Sequence, residues 1–238
     1  GIIFSQVPFF NAEVIPRRIT AVVAFFLSLV LLPVVPPQSM DLTSLNALAL
    51  LVLVIHELLI GLSIGLMVNV IFAGVQIAGE LIGFQMGFAI VNVIDPMTGV
   101  EAPVTANILY LFTFLIFLSL DGHHVLVKAL VESFTLVPIR AAFPHQGFLM
   151  DVLTFTVQIF VIGVKVASPA IGMLLLINIS FAIVTRAIPQ MNVFIVAFPV
   201  TIAIGLVFMI IVMKMMPDFM SAYLEQAWAF LKMTLPKY

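Results

Sequence analysis

Long runs without charged residues or histidine alternate with short polar segments along this chain. Five runs reach or approach the length of a bilayer-spanning helix, which is about 20 predominantly apolar residues. Three prolines between 33 and 37 shorten the first run, because proline removes a backbone donor, and its helix is predicted to end near Leu32. The pattern predicts five apolar helical segments, within residues 19–40, 58–79, 102–120, 166–185 and 187–213.

The stretch 45–88 is too long for one simple span at about 1.5 Å per residue. It also carries one histidine and two glutamates, so a bent or broken helix pair is predicted there. Turn-forming residues fill 93–103, which predicts an ordered loop between two apolar segments. Further on, Gly122 is predicted to stop the third helical segment.

Two long apolar segments, 151–186 and 190–216, are joined by only three residues. So short a link predicts antiparallel neighbours, a helical hairpin. After Pro217, residues 218–238 follow an amphipathic helical pattern, and this tail helix either lies on a membrane surface or docks against a partner. No repeat or low-complexity linker divides the chain, which is interpreted as one domain over residues 1–238.

Composition excludes several classes of protein. The hydrophobic fraction is 63% and the charged fraction 8%, against about a quarter charged in soluble domains, so the surface must meet lipid, other subunits, or both. A net charge of −2 without a basic run argues against nucleic-acid binding. The absence of cysteine excludes disulfides and thiolate metal sites. Because the chain opens on Gly1 rather than methionine, a further apolar segment is expected upstream.

No catalytic, metal or cofactor site is predicted. His56 and Glu57 begin like a zinc protease motif, but Ile60 stands where the second histidine is needed. His123 and His124 are adjacent and should point about 100° apart on a helix, so they are not expected to form a joint site. The residues Gly61-Leu62-Ser63-Ile64-Gly65 lie within a predicted helical segment and not in the turn that a Gly-x-Ser-x-Gly nucleophile requires, and no phosphate-binding glycine loop occurs. An enzyme is therefore not expected.

Glycines spaced four residues apart mark candidate helix-packing faces. Small residues at this spacing let another backbone approach closely, as apolar helix packing favours. The partner is either another part of this chain or another subunit, and the spacing does not decide between them. The predicted packing residues are Gly61, Gly65, Gly79, Gly83 and Gly87.

Four ionisable residues within the apolar segments, Glu57, Glu80, Lys165 and Arg186, are predicted to be buried. Such groups cost about 2.5 to 3.5 kcal/mol each at mid-bilayer on insertion scales, so they usually face a partner or water. The two basic residues are candidates to neutralise the two glutamates, and a proton pathway stays open as an alternative.

Several motifs follow one another in a recognisable order along the chain. They are Pro16-Arg17-Arg18, His56-Glu57-x3-Gly61-x3-Gly65, the run Gly79-Glu80-Leu81-Ile82-Gly83-Phe84-Gln85-Met86-Gly87, Asp95-Pro96, Asp121-Gly122-His123, Pro189-Gln190-Met191-Asn192 and the run from Phe194 to Pro199. This order resembles the FliR/SctT family of type III export gate subunits, and the resemblance covers essentially the whole chain.

The resemblance implies an all-α, membrane-associated subunit of a bacterial inner-membrane export gate in the flagellar basal body. It implies a FliP-like part over 1–150 and a FliQ-like hairpin over 151–216, packed with FliP-like and FliQ-like subunits into a helical pore. FlhB-like and FlhA-like components, lipid and exported unfolded polypeptides are implied as further partners. No cofactor is implied.

The resemblance also implies a loop at about 92–104 that plugs the closed pore. Its predicted residues are Asn92, Asp95, Pro96, Met97, Gly99, Val100 and Glu101. A simple connecting turn is the alternative. At the level of the whole protein, the alternatives are an injectisome gate subunit and an ion-coupled secondary transporter, although no internal repetition of the transporter kind is found.

Overall fold

The described part of the chain is helical throughout. The computed structural model describes Ile3, Gln6 and residues 16–35, 46–88, 104–137, 148–188, 190 and 193–234. Within these residues the predicted all-α class is confirmed, and each of the five apolar runs contributes to a helix. The elements are α1 (Arg17–Leu31), α2 (Ala47–Gln85), α3 (Val104–Ser119), α4 (Gly122–Leu136), α5 (Phe148–Ala187) and α6 (Val193–Thr234).

Helix α1 ends where the prolines predicted, but α2 has no break. It runs for 39 residues, so the bent or broken pair expected within 45–88 is wrong. No proline lies between Ala47 and Gln85, and the apolar residues that fill this range sustain a continuous helix.

Gly87 closes α2 instead of extending its glycine face. Its φ is 92°, a left-handed conformation that glycine adopts without a Cβ penalty. The Phe88 N–H donates to the Gly83 carbonyl and the Gly87 N–H to the Phe84 carbonyl, both at 3.0 Å. These two bonds form a Schellman motif, which satisfies carbonyls at the helix end.

Asp121, and not Gly122, separates α3 from α4. Asp121 has φ 55° and ψ 29°, and Gly122 is already the first residue of α4. Aspartate tolerates this left-handed conformation better than most residues. The sequence pattern had not predicted α4 as a separate helix.

Helix α6 continues through Pro217 as a helix of 42 residues, so the separate tail helix expected after this proline is not observed. One face of α6 stays buried on both sides of the proline, including Met216, Met220, Tyr223 and Ala227. This spacing of three to four residues keeps the packed face continuous, which offsets the single backbone hydrogen bond that proline removes.

The chain forms two compact units. Unit 1 contains Gly1–Val70, Asp121–Val157 and Ala222–Tyr238, and unit 2 contains Ile71–Leu120 and Gln158–Ser221. In unit 1 the Tyr223 hydroxyl donates to the Met67 carbonyl at 3.0 Å. In unit 2 the Phe72 ring packs edge-on against Phe117, with centroids 5.6 Å apart.

Antiparallel packing of α5 and α6 is seen within each unit. In unit 1, Phe155 of α5 stacks on Phe230 of α6 with centroids 4.6 Å apart. In unit 2, residues near 165–169 of α5 and 212–219 of α6 line one cavity. The predicted hairpin is thus present, and its arms are longer than the sequence pattern indicated.

Candidate functional site

The closest helix contacts of unit 2 surround the two ends of the segment predicted to plug a pore. The predicted plug residues themselves lie outside the described residues; they are Asn92, Asp95, Pro96, Met97, Gly99, Val100 and Glu101. The described chain stops at Phe88, just after α2, and resumes at Val104, the first residue of α3. Both flanks are held by specific contacts.

The flank in α3 is joined to α2 through Gly79. A Cβ atom placed on Gly79 would lie 2.4 Å from the Cα atom of Ala106, a separation that real atoms do not tolerate. The hydroxyl of Thr105, which is buried, donates to the Gly79 carbonyl at 2.8 Å. Only glycine at this position allows the two backbones to approach so closely.

The flank at the end of α2 is seated on α6. Met86 is fully buried, and a Cβ atom on Gly205 would lie 2.5 Å from its Cγ atom. The Thr201 hydroxyl donates to the Met86 carbonyl at 3.4 Å. The side chain of Met86 therefore occupies the space that Gly205 leaves open.

Helices α2 and α5 approach through a reciprocal glycine pair. A Cβ atom on Gly74 would lie 2.6 Å from Ile162, and one on Gly163 would lie 2.8 Å from Ile77. Sequence reasoning missed these residues and Gly205, because none belongs to a four-residue repeat. The available signal was a glycine inside an apolar helix, which is costly there unless it serves close packing.

The predicted glycines have different surroundings. In unit 1, a Cβ atom on Gly65 would lie 2.7 Å from Gln6, and one on Gly61 would lie 3.7 Å from Ile3. Together with Gly79, these residues make contacts within the chain, which was one of the two open alternatives. Gly83 is buried.

The four predicted buried charges are not buried by the chain. Glu57, Lys165 and Arg186 are exposed, and Glu80 is half-buried. The helices bury faces of small and aliphatic residues instead, because burying an ionised group without a partner costs far more free energy. Gln76 Nε2 donates to Glu80 Oε1 at 3.5 Å.

In unit 2 the register of α2 and α5 is set by their contacts. Gly74 meets Ile162, and Asn178 Nδ2 donates to Gln85 Oε1 at 3.5 Å. The residue numbers rise together, so these two segments run parallel. Glu80 therefore lies level with the part of α5 between residues 163 and 178.

Lys165 of α5 lies near the level of Glu80, and α6 contributes further charged residues there. A cavity of about 370 Å³ is lined by Lys165 and Pro169 of α5 and by Val212, Met216 and Asp218 of α6, among others. Lys214 falls within the same turns of α6. We call Glu80, Lys165, Lys214 and Asp218 the charged level. The charge-free parts 166–185 and 193–213 lie between it and the hairpin turn.

The two adjacent histidines are closer than the helix geometry predicted. The ring centroids of His123 and His124 are 4.1 Å apart, and Asp121 lies beside both. The helix sets only the directions in which the two side chains leave the backbone, about 100° apart, and the rings then turn towards each other.

Large apolar side chains remain exposed on every long helix. In the most apolar 18-residue window of α2, α5 and α6, only 22%, 33% and 22% of the residues are buried. The exposed set includes Phe25, Phe26, Leu48, Leu51, Phe84, Leu153, Phe160, Leu176, Ile183, Ile195, Val207 and Ile210. Exposed apolar area on this scale marks a surface for lipid or for other proteins.

The sequence matches a known family over nearly its whole length. The family described as "Bacterial export proteins, family 1" matches residues 1–227. The chain is also 34% identical over 215 residues to the flagellar biosynthetic protein FliR of Bacillus subtilis (strain 168), covering 89% of this chain and 82% of that protein. It belongs to the FliR family. The predicted family is thereby confirmed.

Other relatives agree. The FliR of Pectobacterium carotovorum subsp. carotovorum is 32% identical over 217 residues, covering 91% of this chain and 82% of that protein. The FliR of Escherichia coli (strain K12) is 30% identical over 217 residues, with the same coverage. Among the described residues, this FliR-family chain has three helices that are long and apolar enough to cross a bilayer, as expected of a membrane protein. The pair α3 and α4 is a further candidate span.

Proposed function

We propose that this FliR-family chain is a subunit of the flagellar protein export gate in the bacterial inner membrane. It helps to form and seal the conduit for unfolded flagellar proteins, and it does so with FliP-like and FliQ-like subunits. The family is one of bacterial export proteins, and the relatives are named for flagellar biosynthesis. The observation that carries the proposal is the low burial of the three long apolar helices in the isolated chain.

Helix length supports protein contacts in addition to lipid contacts. A helix of 39 residues, such as α2, is about 58 Å long at 1.5 Å per residue, whereas a hydrocarbon core is about 30 Å thick. Roughly half of the helix must therefore lie outside the lipid core. Apolar residues on that part need other subunits to cover them.

The charged level also supports a division of α5 and α6 into a part that crosses the lipid and a part that other subunits cover. The charge-free parts 166–185 and 193–213 each approximate one bilayer crossing. Beyond the charged level, α5 carries Asp151, and α6 carries Glu225 and Lys232. In the proposed assembly these continuing parts meet FliP-like and FliQ-like subunits, and residues 151–216 act as the FliQ-like hairpin beside a FliP-like part over 1–150.

The proposed mechanism is passive. Segment 92–104 seals the conduit with Met97 and Val100 and moves aside for an unfolded polypeptide, since a narrow apolar constriction excludes water at little cost. The contacts of Thr105 with Gly79 and of Met86 with Gly205 hold the two flanks while the segment between them moves. This chain makes and breaks no covalent bond in the mechanism.

Sealing is tested in cells that carry the assembled complex. Substituting Met97→Asp or deleting residues 93–100 should make the cells leaky to small solutes, whereas Met97→Leu keeps an apolar seal and should not. Complex assembly is measured in parallel by co-purification. An unchanged leak in the Met97→Asp cells, with intact assembly, would remove the plug assignment.

Membership of a complex is tested by purification in mild detergent. Co-expressed with FliP-like and FliQ-like subunits, the chain should elute with them as one large species. The rival ion-coupled transporter predicts instead an active single chain in liposomes, and that result would overturn the proposal.

A further inference from the structure

Three side chains that commonly bind metal ions converge where α4 begins. The possible ligand atoms of Asp121, His123 and His124 all lie within 4.8 Å of one another. The proposed export role uses none of the three.

The distances suit a single small cation. His124 Nδ1 lies 3.0 Å from Asp121 Oδ1, and His123 Nε2 lies 4.0 Å from the same oxygen. Ligand bonds of 2.0 to 2.2 Å in tetrahedral geometry separate neighbouring ligand atoms by about 3.4 Å. The separations of 3.0 and 4.0 Å lie on either side of this value, so the three atoms are close enough together to share one ion.

The backbone of this turn restrains the ligands. Asp121 adopts a left-handed conformation, with φ 55°, and its carbonyl accepts the N–H groups of His124 at 2.8 Å and Val125 at 3.2 Å. All three ligands thus project from one short hydrogen-bonded turn, which reduces the ordering cost of binding.

The cluster is accessible from solvent. The side chains of Asp121 and His124 are each 72% exposed and that of His123 is 48% exposed. An ion can reach the three ligands without any opening of the fold. Water or a ligand from another molecule would complete the coordination.

We propose that Asp121, His123 and His124 form a binding site for a divalent transition-metal ion of the Zn²⁺ class. Two imidazole nitrogens and one carboxylate oxygen suit Zn²⁺, Co²⁺ and Ni²⁺. Mg²⁺ and Ca²⁺ prefer sites made of oxygen ligands, so this donor set favours the transition metals over them. Bound metal joins Asp121 to the first turn of α4 and so stiffens the turn between α3 and α4.

The test uses the full chain in detergent, purified with a tag that contains no histidine. Titration with CoCl₂ is followed by the visible absorption of Co²⁺, and Zn²⁺ affinity is measured by competition. We expect one ion per chain. The variant His123→Gln/His124→Gln should abolish the Co²⁺ spectrum, and Asp121→Asn should weaken Zn²⁺ binding by at least tenfold.

His145→Gln is the matched control, because it removes a histidine that is not one of the three proposed ligands and should leave the titration unchanged. Circular dichroism verifies that each variant keeps its helical content. The proposal fails if the wild-type chain binds Zn²⁺ no more tightly than the double histidine variant, or if His145→Gln causes an equal loss.

Discussion

The two ends of α2 are almost equally apolar and behave in opposite ways. Near its start, Leu48 is 77% exposed, and Leu50 and Leu51 are also exposed. Further along, Ile71, Phe72, Val75, Ala78 and Ile82 are fully buried. Composition does not separate these ends. The positions of glycines do distinguish the two ends, because Gly74, Gly79 and Gly83 all fall in the buried part, where neighbouring helices come close.

The largest effect is expected from a large residue at the closest contact. Gly79→Leu would drive its side chain into the backbone of α3 at Ala106, so α2 and α3 could not pack. We expect loss of folded protein and of the purified complex, measured by size-exclusion chromatography in detergent.

Gly172→Leu is the matched control for this substitution. Gly172 also lies inside a long apolar helix, but among the described residues no atom outside its own stretch of helix lies within 4 Å of a Cβ atom placed there. The isolated chain should tolerate the change. Equal losses for both variants would show that helix propensity, and not close packing, explains the role of Gly79.

A smaller effect is expected from removing a buried ring. Phe72→Ala leaves a cavity beside Tyr110 and Phe117 and should cost about 3 to 5 kcal/mol of unfolding free energy. Thermal unfolding in detergent should show a lower melting temperature than for the wild-type chain.

Leu48→Ala tests the exposed start of α2, at the opposite end from Phe72. It should leave the melting temperature of the single chain nearly unchanged, because Leu48 packs little within the chain. If this end is a subunit surface, the same change should lower the yield of the co-purified complex. A melting-temperature loss as large as that of Phe72→Ala would contradict the exposed position.

The smallest effect is expected from Thr105→Val, which removes the hydroxyl that donates to the Gly79 carbonyl and nearly conserves the volume. The cost should be about 1 kcal/mol, visible as a small shift in melting temperature. Thr154→Val is the control, because its hydroxyl bonds within its own helix and is exposed. A shift for Thr154→Val as large as that for Thr105→Val would show that the contact between α2 and α3 adds no stability.

Local chemistry explains which elements were predictable. The end of α1 and the hairpin of α5 and α6 follow from prolines and from a short link, and both act through neighbouring residues. The continuity of α6 was not predictable from Pro217 alone, since packing along a whole face outweighs one lost hydrogen bond. The break predicted in α2 came from its length and its ionisable residues, although no proline interrupts it. The break after α3 was predicted, but it was assigned to Gly122 instead of Asp121, because glycine is the more usual residue in a left-handed conformation.

The helical class, the apolar character and the family could be predicted from the sequence, because these depend on composition, local periodicity and the order of motifs. Three features became visible only in the folded chain: which glycines meet which helices, the exposure of Glu57, Lys165 and Arg186, and the convergence of Asp121, His123 and His124. The physical reason is that helices apolar on nearly every face do not encode their own partners. The partners of each helix are selected by how closely two backbones can approach, and this approach depends on residues that lie far apart in the chain.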